Sequence, residues 1–437
     1  MRPDDSILVV GTIAGQVTFG TGTPYQTKLN GGQLGSMLVA GFAGDGTFRA
    51  GRVYSAASAD GISVRSLPDG SAIVTGQFEG QIILDVGLPT QVTLVAAGGA
   101  NDYDTFLAHV GADGNVIWAA RAGGPKGDFP VALDVAADGS GALAGVFSGS
   151  ITFNPGQASA ITLSRPGNFQ DNYVARFDAS GHVTWARASG GTGANDLPKG
   201  VAVLADGTVA LSGSFYGNTS FEGQTPPLAL MSAATSSLFL AHYQANGTLD
   251  WVRSPSGYSA GFHVRQGPGG ELLFTGAADS AAVFGQGEPT QASLGGSGGD
   301  FVARYQEDGS FLGIGLLGTL LAENDMLVDT GGAVAVVGSI SNKGTFATAG
   351  MPTTITSLGW EDAYTACAAP SGQVAWVSRA GGNQHDIANA VARAGNGDLV
   401  VVGGFTADMT VNPGQPGAVN LTVGLGDGNA FLVRYSP

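Results

Sequence analysis

Aspartate is the residue type in this chain whose placement is regular enough for several copies to act together. Asp60, Asp128, Asp196, Asp325 and Asp386 each stand just ahead of a strand-like run, and Asp104, Asp171, Asp300, Asp362 and Asp427 stand ahead of another. Ten carboxylates on one face would focus a negative potential or hold Ca2+ or another divalent cation. Two of them about 5–10 Å apart, with different proton affinities, would suit glycoside chemistry. The competing reading is that each Asp accepts N–H bonds from its own turn, and the regular recurrence favours it. The chain has no D-x-D-x-D-G calcium loop, so a cation would draw ligands from separate loops and its ligand set stays open. No resident cofactor is expected.

The other reactive types are sparse. Trp118, Trp185, Trp251 and Trp376 share one repeat position, which points to packing between sheets rather than to a sugar platform. Trp360 stands apart in the loop segment SLGWED beside acids and is the better candidate for ligand contact. His109 and His242 occupy the position held elsewhere by Arg176, Arg304, Arg434 and Cys367, so the repeat explains them. His385, just before Asp386, is more interesting, but no two histidines have metal-ligand spacing. Cys367 has no evident His partner and reads as filler. Neither a P-loop nor a G-x-S-x-G elbow is present.

Any site must be positioned by the elements around these residues, and those elements repeat. The phrase of aromatic, apolar, Ala and basic residues, then a Gly turn and an apolar run, reads TFLAHVGADGNVIWAARAGG, NYVARFDASGHVTWARASGG, LFLAHYQANGTLDWVRSPSG and AYTACAAPSGQVAWVSRAGG. Its anchors are Leu38, Phe106, Tyr173, Phe239, Phe301, Tyr364 and Phe431, spaced 62–68 residues apart. A second phrase follows, as in VALDVAADGSGALAGVFSGSITF. Both alternate with period two around turns such as Asp138-Gly139 and Asp206-Gly207, which is hairpin patterning; no segment reads as a helix.

Four strands per repeat, A to D, with short A–B and C–D turns and long B–C and D–A connections, make a propeller blade. The expectation is an all-β single domain over 1–437, a β-propeller most simply of seven four-stranded blades, with six as the alternative. Repeats start near 36, 104, 171, 237, 300, 362 and 429, after a part-repeat at 7–35. Counting gives 26 strands, two short of 28, with B, C and D opening the chain and A, B and C ending it. Terminal segments would then close the ring and hide sheet edges. In such a meander the B–C and D–A loops share one face, the face that carries the acids.

Composition agrees and sets limits. Gly is 73 of 437 residues, as many tight turns require, and 43% hydrophobic residues exclude a disordered chain. Net charge is −16, and the only lysines are Lys28, Lys126, Lys199 and Lys343, which argues against nucleic acid and anionic membrane surfaces. With one cysteine there is no internal disulfide, and no apolar stretch is long enough for membrane insertion as a helix. The opening MRPDDSILVVGTIAG does not read as a secretory signal.

The succession Gly-Gly-x-Asp, Val-Ala-Arg-Tyr, a Trp, Gly-Gly and Val-Ala-x-x-x-Asp-Gly resembles the bacterial SBBP β-propeller repeats. Here it reads GGSGGDFVARYQEDG and VTWARASGGTGANDLPKGVAVLADG, and the likeness spans about Ile7 to Pro437. It implies a secreted or cell-surface bacterial protein and no particular reaction. The fifth repeat, FLGIGLLGTLLAEN, departs from the pattern by lacking both Trp and Gly-Gly. The functional expectation is a non-catalytic binding or scaffolding module meeting a protein or glycan through its loop face. Alternatives are a carbohydrate-active hydrolase or lyase with carboxylates at the channel mouth, and an architectural module of a larger surface protein.

Overall fold

The computed structural model describes residues 1–99, 102–165, 169–191, 196–232, 236–415, 417–423 and 428–436. No helix occurs among the described residues. The strands form seven small antiparallel sheets, the fold class of a seven-bladed β-propeller. The chain falls into two compact units, Met1–Ser232 with Ala241–Asp250, and Ala233–Leu240 with Trp251–Pro437.

In the first unit, blade 1 comprises Ile7–Ile13, Ser36–Phe42 and the first half of the long strand Phe48–Ser66. The second half of that strand opens blade 2, which continues with Ala72–Leu84, Tyr103–Val110 and Val116–Ala122. Blade 3 is Asp128–Val135, Gly141–Ser148, Gln170–Phe177 and Val183–Gly191. The unit boundary falls within blade 4, whose strands are Leu197–Val203, Val209–Phe215, Ser237–Tyr243 and Leu249–Arg253. In the second unit, blade 5 is Ser259–Gln266, Leu272–Ala278, Gly299–Tyr305 and Phe311–Thr319. Blade 6 is Ala322–Val328, Val334–Ile340, Asp362–Ala368 and Val374–Gly382. Blade 7 is Asp386–Arg393, Leu399–Phe405 and Asn429–Tyr435. Blade 1 thus has strands B, C and D and blade 7 has A, B and C, as counted from the sequence, and six blades is not the outcome.

The tight turns follow from their residues. Asp138 Oδ1 accepts the Ser140 N–H at 2.9 Å and its hydroxyl at 2.7 Å, while Gly139 takes a φ of 85°. Asp206 and Asp308 repeat this with Thr208 and Ser310. The repeat anchors are buried, and the rings of Phe106, Tyr173, Phe301 and Phe431 each lie over a strand-B glycine. A Cβ on Gly145 would come within 2.5 Å of the Tyr173 hydroxyl, so no other residue fits there.

The shared tryptophan position packs between blades. The indoles of Trp118, Trp185 and Trp251 donate to the carbonyls of Ala179, Ala245 and Glu307 in the next C–D turn, at 3.1, 2.9 and 3.0 Å. Trp376 lies 6.0 Å from Tyr435 of blade 7. At these three hydrogen-bonded seams a large ring is packed between blades with its N–H satisfied.

The B–C connection departs from the expected loop. It holds a hairpin in most repeats, for example Ser150–Phe153 with Ile161–Ser164 and Asn218–Phe221 with Leu228–Met231. Three of these hairpins pair with strand D of the preceding blade: Asn218–Phe221 on blade 3, Lys343–Phe346 on blade 5 and Met409–Val411 on blade 6. The hairpin turn also grips its own blade. Asn154, at φ 48°, accepts the Val183 N–H at 2.9 Å and donates to the Val183 carbonyl at 2.8 Å. The Asn154-Pro155-Gly156 and Asn412-Pro413-Gly414 turns noted in the sequence lie at these hairpin tips.

The Gly-Gly motif has two jobs. The first glycine faces the strand-C aspartate: a Cβ on Gly123, Gly190 or Gly381 would strike the carboxyl of Asp104, Asp171 or Asp362 within 2.2 Å. The second, at Gly124, Gly191 and Gly382, makes room for the hairpin backbone. Blade 5, which lacks the motif, reverses the first pairing. Thr319 stands where the glycine should be and Gly299 where the aspartate should be, with Asp300 moved one residue on opposite Gly318.

Candidate functional site

The acids divide into two populations. Those of the Asp-Gly turns, including Asp69, Asp138, Asp206 and Asp308, lie near the surface, and bonds from the next Ser or Thr hold their carboxyls below the usual range. The acids singled out by the repeat are mostly enclosed. Asp104, Asp128, Asp171, Asp196, Asp300, Asp362 and Asp386 are buried, at 6% exposure or less. Asp60 and Asp325 are half-buried, and Asp427 lies outside the described residues.

Register explains the grouping. Asp128 and Asp386 open strand A, and Asp196 holds the equivalent place one residue ahead of Leu197–Val203; Asp60 falls one residue later in register and Asp325 four residues later. Asp104, Asp171 and Asp362 share one register position at the start of strand C, opposite Phe78, Phe147 and Ile340, where they sit against the glycines described above. Some bond as turn caps. Asp104 accepts the Ala97 N–H at 2.9 Å, Asp362 the Leu358 N–H at 3.2 Å, and Asp386 the Gly382 N–H at 2.7 Å. Others bond across elements: Asp196 to Tyr216 N and the Thr219 hydroxyl, Asp300 to Leu321 N, Asp60 to Thr12 and Gln77, and Asp325 to Arg265 and Val391 N.

Strand-C acids of one blade lie electrostatically beside strand-A acids of the next. Burial, reinforced by Asp104, pushes Asp128 up to about 8. Burial likewise takes Asp171, Asp196 and Asp386 to about 6 and Asp300 to about 7. Half-buried Glu323, absent from the sequence-derived set, is pushed up to about 8 by desolvation and accepts the Thr275 hydroxyl at 2.5 Å. Asp104 and Asp362 are also raised by burial, although Arg121 and Arg379 pair with them at 3.0 and 3.3 Å. Among the described residues no group of three or more His, Cys, Asp or Glu side chains is arranged to hold a metal ion.

Trp360 behaves differently. It is 68% exposed, and its ring meets His385 edge-on with centroids 4.9 Å apart. His385 Nδ1 lies 2.8 Å from Glu361 Oε1, and Glu361 Oε2 accepts the Ser339 hydroxyl at 2.9 Å. The Asp386 N–H donates to the Glu361 carbonyl at 2.9 Å, and His385 N donates to the Thr406 hydroxyl at 3.1 Å. The B–C loop of blade 6 and the D–A loop before blade 7 are therefore tied together beneath an exposed indole. Beside them is a cleft of about 510 Å³ whose lining includes Leu358, Asn383, Asp408 and Thr410. Sequence reading picked out Trp360 and His385 separately but not Glu361. The signal was present: Glu361 and His385 each directly precede a junction acid, Asp362 and Asp386.

The first unit has a second cleft, about 520 Å³, between blades 2 and 3, lined by Arg121, Asn154, Gln157, Ser180 and His182 among others. Its polar groups are largely engaged: Arg121 with Asp104, and Asn154 with Val183. Cys367 is half-buried, with its thiol pushed up by burial, the opposite of an activated nucleophile.

No family model matches the chain, and no curated protein matches it. Among solved structures it is similar to a protein of unknown function from Bacteroides caccae, at 10% identity and a TM-score of 0.35, over 74% of this chain and 82% of that one.

Proposed function

We propose that the protein is a non-catalytic binding or scaffolding module that meets a glycan or protein ligand through the loop face of blades 6 and 7. The observation that carries this reading is Trp360. A large apolar ring left 68% exposed forgoes the burial that the other tryptophans obtain in whole or part, while it packs against His385, which Glu361 holds in place. A rigid exposed aromatic beside polar groups and a cleft suits stacking on a sugar ring or docking of a protein side chain. The hydrolase or lyase alternative calls for acids in contact with substrate, whereas the acids with raised proton affinity lie buried between blades. Resemblance to SBBP repeats supports placing the module outside the bacterial cell or on its surface, which protease shaving of intact cells would check.

The test is a glycan array and a panel of cell-surface protein fractions, probed with wild type and Trp360→Ala. Binding by wild type, weakened about tenfold or more in the variant at unchanged Tm, supports the site; tenfold corresponds to about 1.4 kcal/mol. Equal binding by both proteins removes it.

A further inference from the structure

We propose that the buried carboxyl pair between blades 2 and 3, Asp104 with Asp128, carries a proton at neutral pH, and that such pairs make cohesion between neighbouring blades depend on protonation. The geometry starts with a charge count. On the blade 2 side, Asp104 is bonded to Arg121 and to the Ala97 N–H, with Asp102 in the adjoining loop. On the blade 3 side, Asp128 is wholly buried, and neither carboxyl oxygen has a well-formed hydrogen bond, although the Gly124 and Ser148 amides lie close enough to favour the charged form. Asp104 Oδ1 is also unpartnered. Two neutral hydroxyls also lie at the seam: Thr105 donates to the Asp128 carbonyl and lies 3.3 Å from the Tyr173 hydroxyl, while Lys126, in the loop two residues ahead of Asp128, runs its chain along Gly149 and makes no ion pair with either carboxyl. One guanidinium thus faces two enclosed carboxyls. A second bare negative charge in such a site is strongly disfavoured, and a proton removes it while supplying a donor for an orphan oxygen.

The same arrangement recurs with different neighbours. Asp171 and Asp196 share their seam with Arg165 and Glu222. Asp362 and Asp386 share theirs with Arg379, Glu361 and His385. Asp300 and Glu323 meet near Asp325 and Arg265. In each case burial raises proton affinity in the folded state, so the folded chain holds protons that the unfolded chain releases. Stability from this source is full below the unfolded carboxyl value, about 4, and is lost as pH rises through the folded values, from about 6 to about 8.

Thermal unfolding of the full chain from pH 5 to pH 9, without and with added Ca2+, tests the proposal. The expected result is a Tm that falls by several degrees between pH 5 and pH 8.5. Asp128→Asn should flatten part of that fall and be more stable than wild type at the alkaline end. The exposed turn variant Asp138→Asn should keep the wild-type slope. An infrared carbonyl band from protonated carboxylic acid at pH 7, with part of its intensity lost in Asp128→Asn, would report the proton directly in folded protein. A flat profile, or an unchanged slope and no lost band intensity in Asp128→Asn, overturns the proposal. A rise in Tm with Ca2+ that Asp128→Asn abolishes also overturns it, because a metal ion rather than a proton would then fill the pair.

Discussion

Trp360 and Trp185 show how one residue type takes opposite roles. Trp185 is 5% exposed and donates into the next blade's turn, whereas Trp360 is 68% exposed and meets the His385 ring in a T-shaped contact. Acrylamide quenching of intrinsic fluorescence should therefore fall most with Trp360→Phe, since Trp251 is also buried and Trp118 and Trp376 are half-buried. A quenched fraction that Trp360→Phe leaves unchanged would place the ring in a covered setting. The aspartates make the same point. Asp138 and Asp128 belong to one strand pair, yet the first is held acidic by Ser140 and the second is kept protonated by its enclosure.

Between elements, shape complementarity is local and reciprocal. The glycine opposite Asp171 exists because the carboxyl occupies its side-chain space, and blade 5 keeps the fit by exchanging the small and large partners at Gly299 and Thr319. Gly190→Ala would place a methyl 1.7 Å from Asp171 Oδ1 and should cost about 1–3 kcal/mol in denaturant unfolding, the usual range for overpacking. Gly190→Thr alone should be worse, and adding Asp171→Gly should recover part of the loss; purely additive effects would count against reciprocal packing. The hairpins act at this scale too. Asn154→Ala removes both bonds to Val183, and a loss of about 1–3 kcal/mol is expected, read as a lower urea midpoint.

Summed over the molecule, the two aspartate populations pull stability in opposite directions with pH. Turn acids with lowered values contribute above the unfolded carboxyl pKa, and that contribution is lost as pH falls through their folded values. Seam acids with raised values contribute most in acid and lose it on the way to pH 8. A Tm profile from pH 3 to pH 9 should therefore be a dome with its top at about pH 4–6, close to the sequence pI of 4.5. A maximum at pH 7 or above would contradict this balance. Net charge of −16 adds general repulsion toward alkaline pH, which salt should relieve, whereas enclosed seam pairs should respond little to salt.

Sequence alone determined the blades. Period-two alternation, Asp-Gly turns and the spacing of Phe106, Tyr173 and Tyr364 act through local backbone preferences, and they fixed strand types, the count of 26 and the packing role of the shared tryptophans. It also flagged Trp360 and His385, and it located the repeated aspartates, though not Glu323 or Glu361, while placing them on a shared loop face. Tertiary structure decided how they are enclosed and paired. Which carboxyl meets which depends on strand register between repeats about 65 residues apart, and a one-residue offset, as at Asp60 or Asp300, changes the partner. It likewise decided that the B–C connections fold into hairpins that reach the preceding blade, because that pairing needs the bare backbone of a glycine in another repeat. Proton affinity follows from enclosure and neighbouring charge, and neither is a property of a residue taken in its own segment.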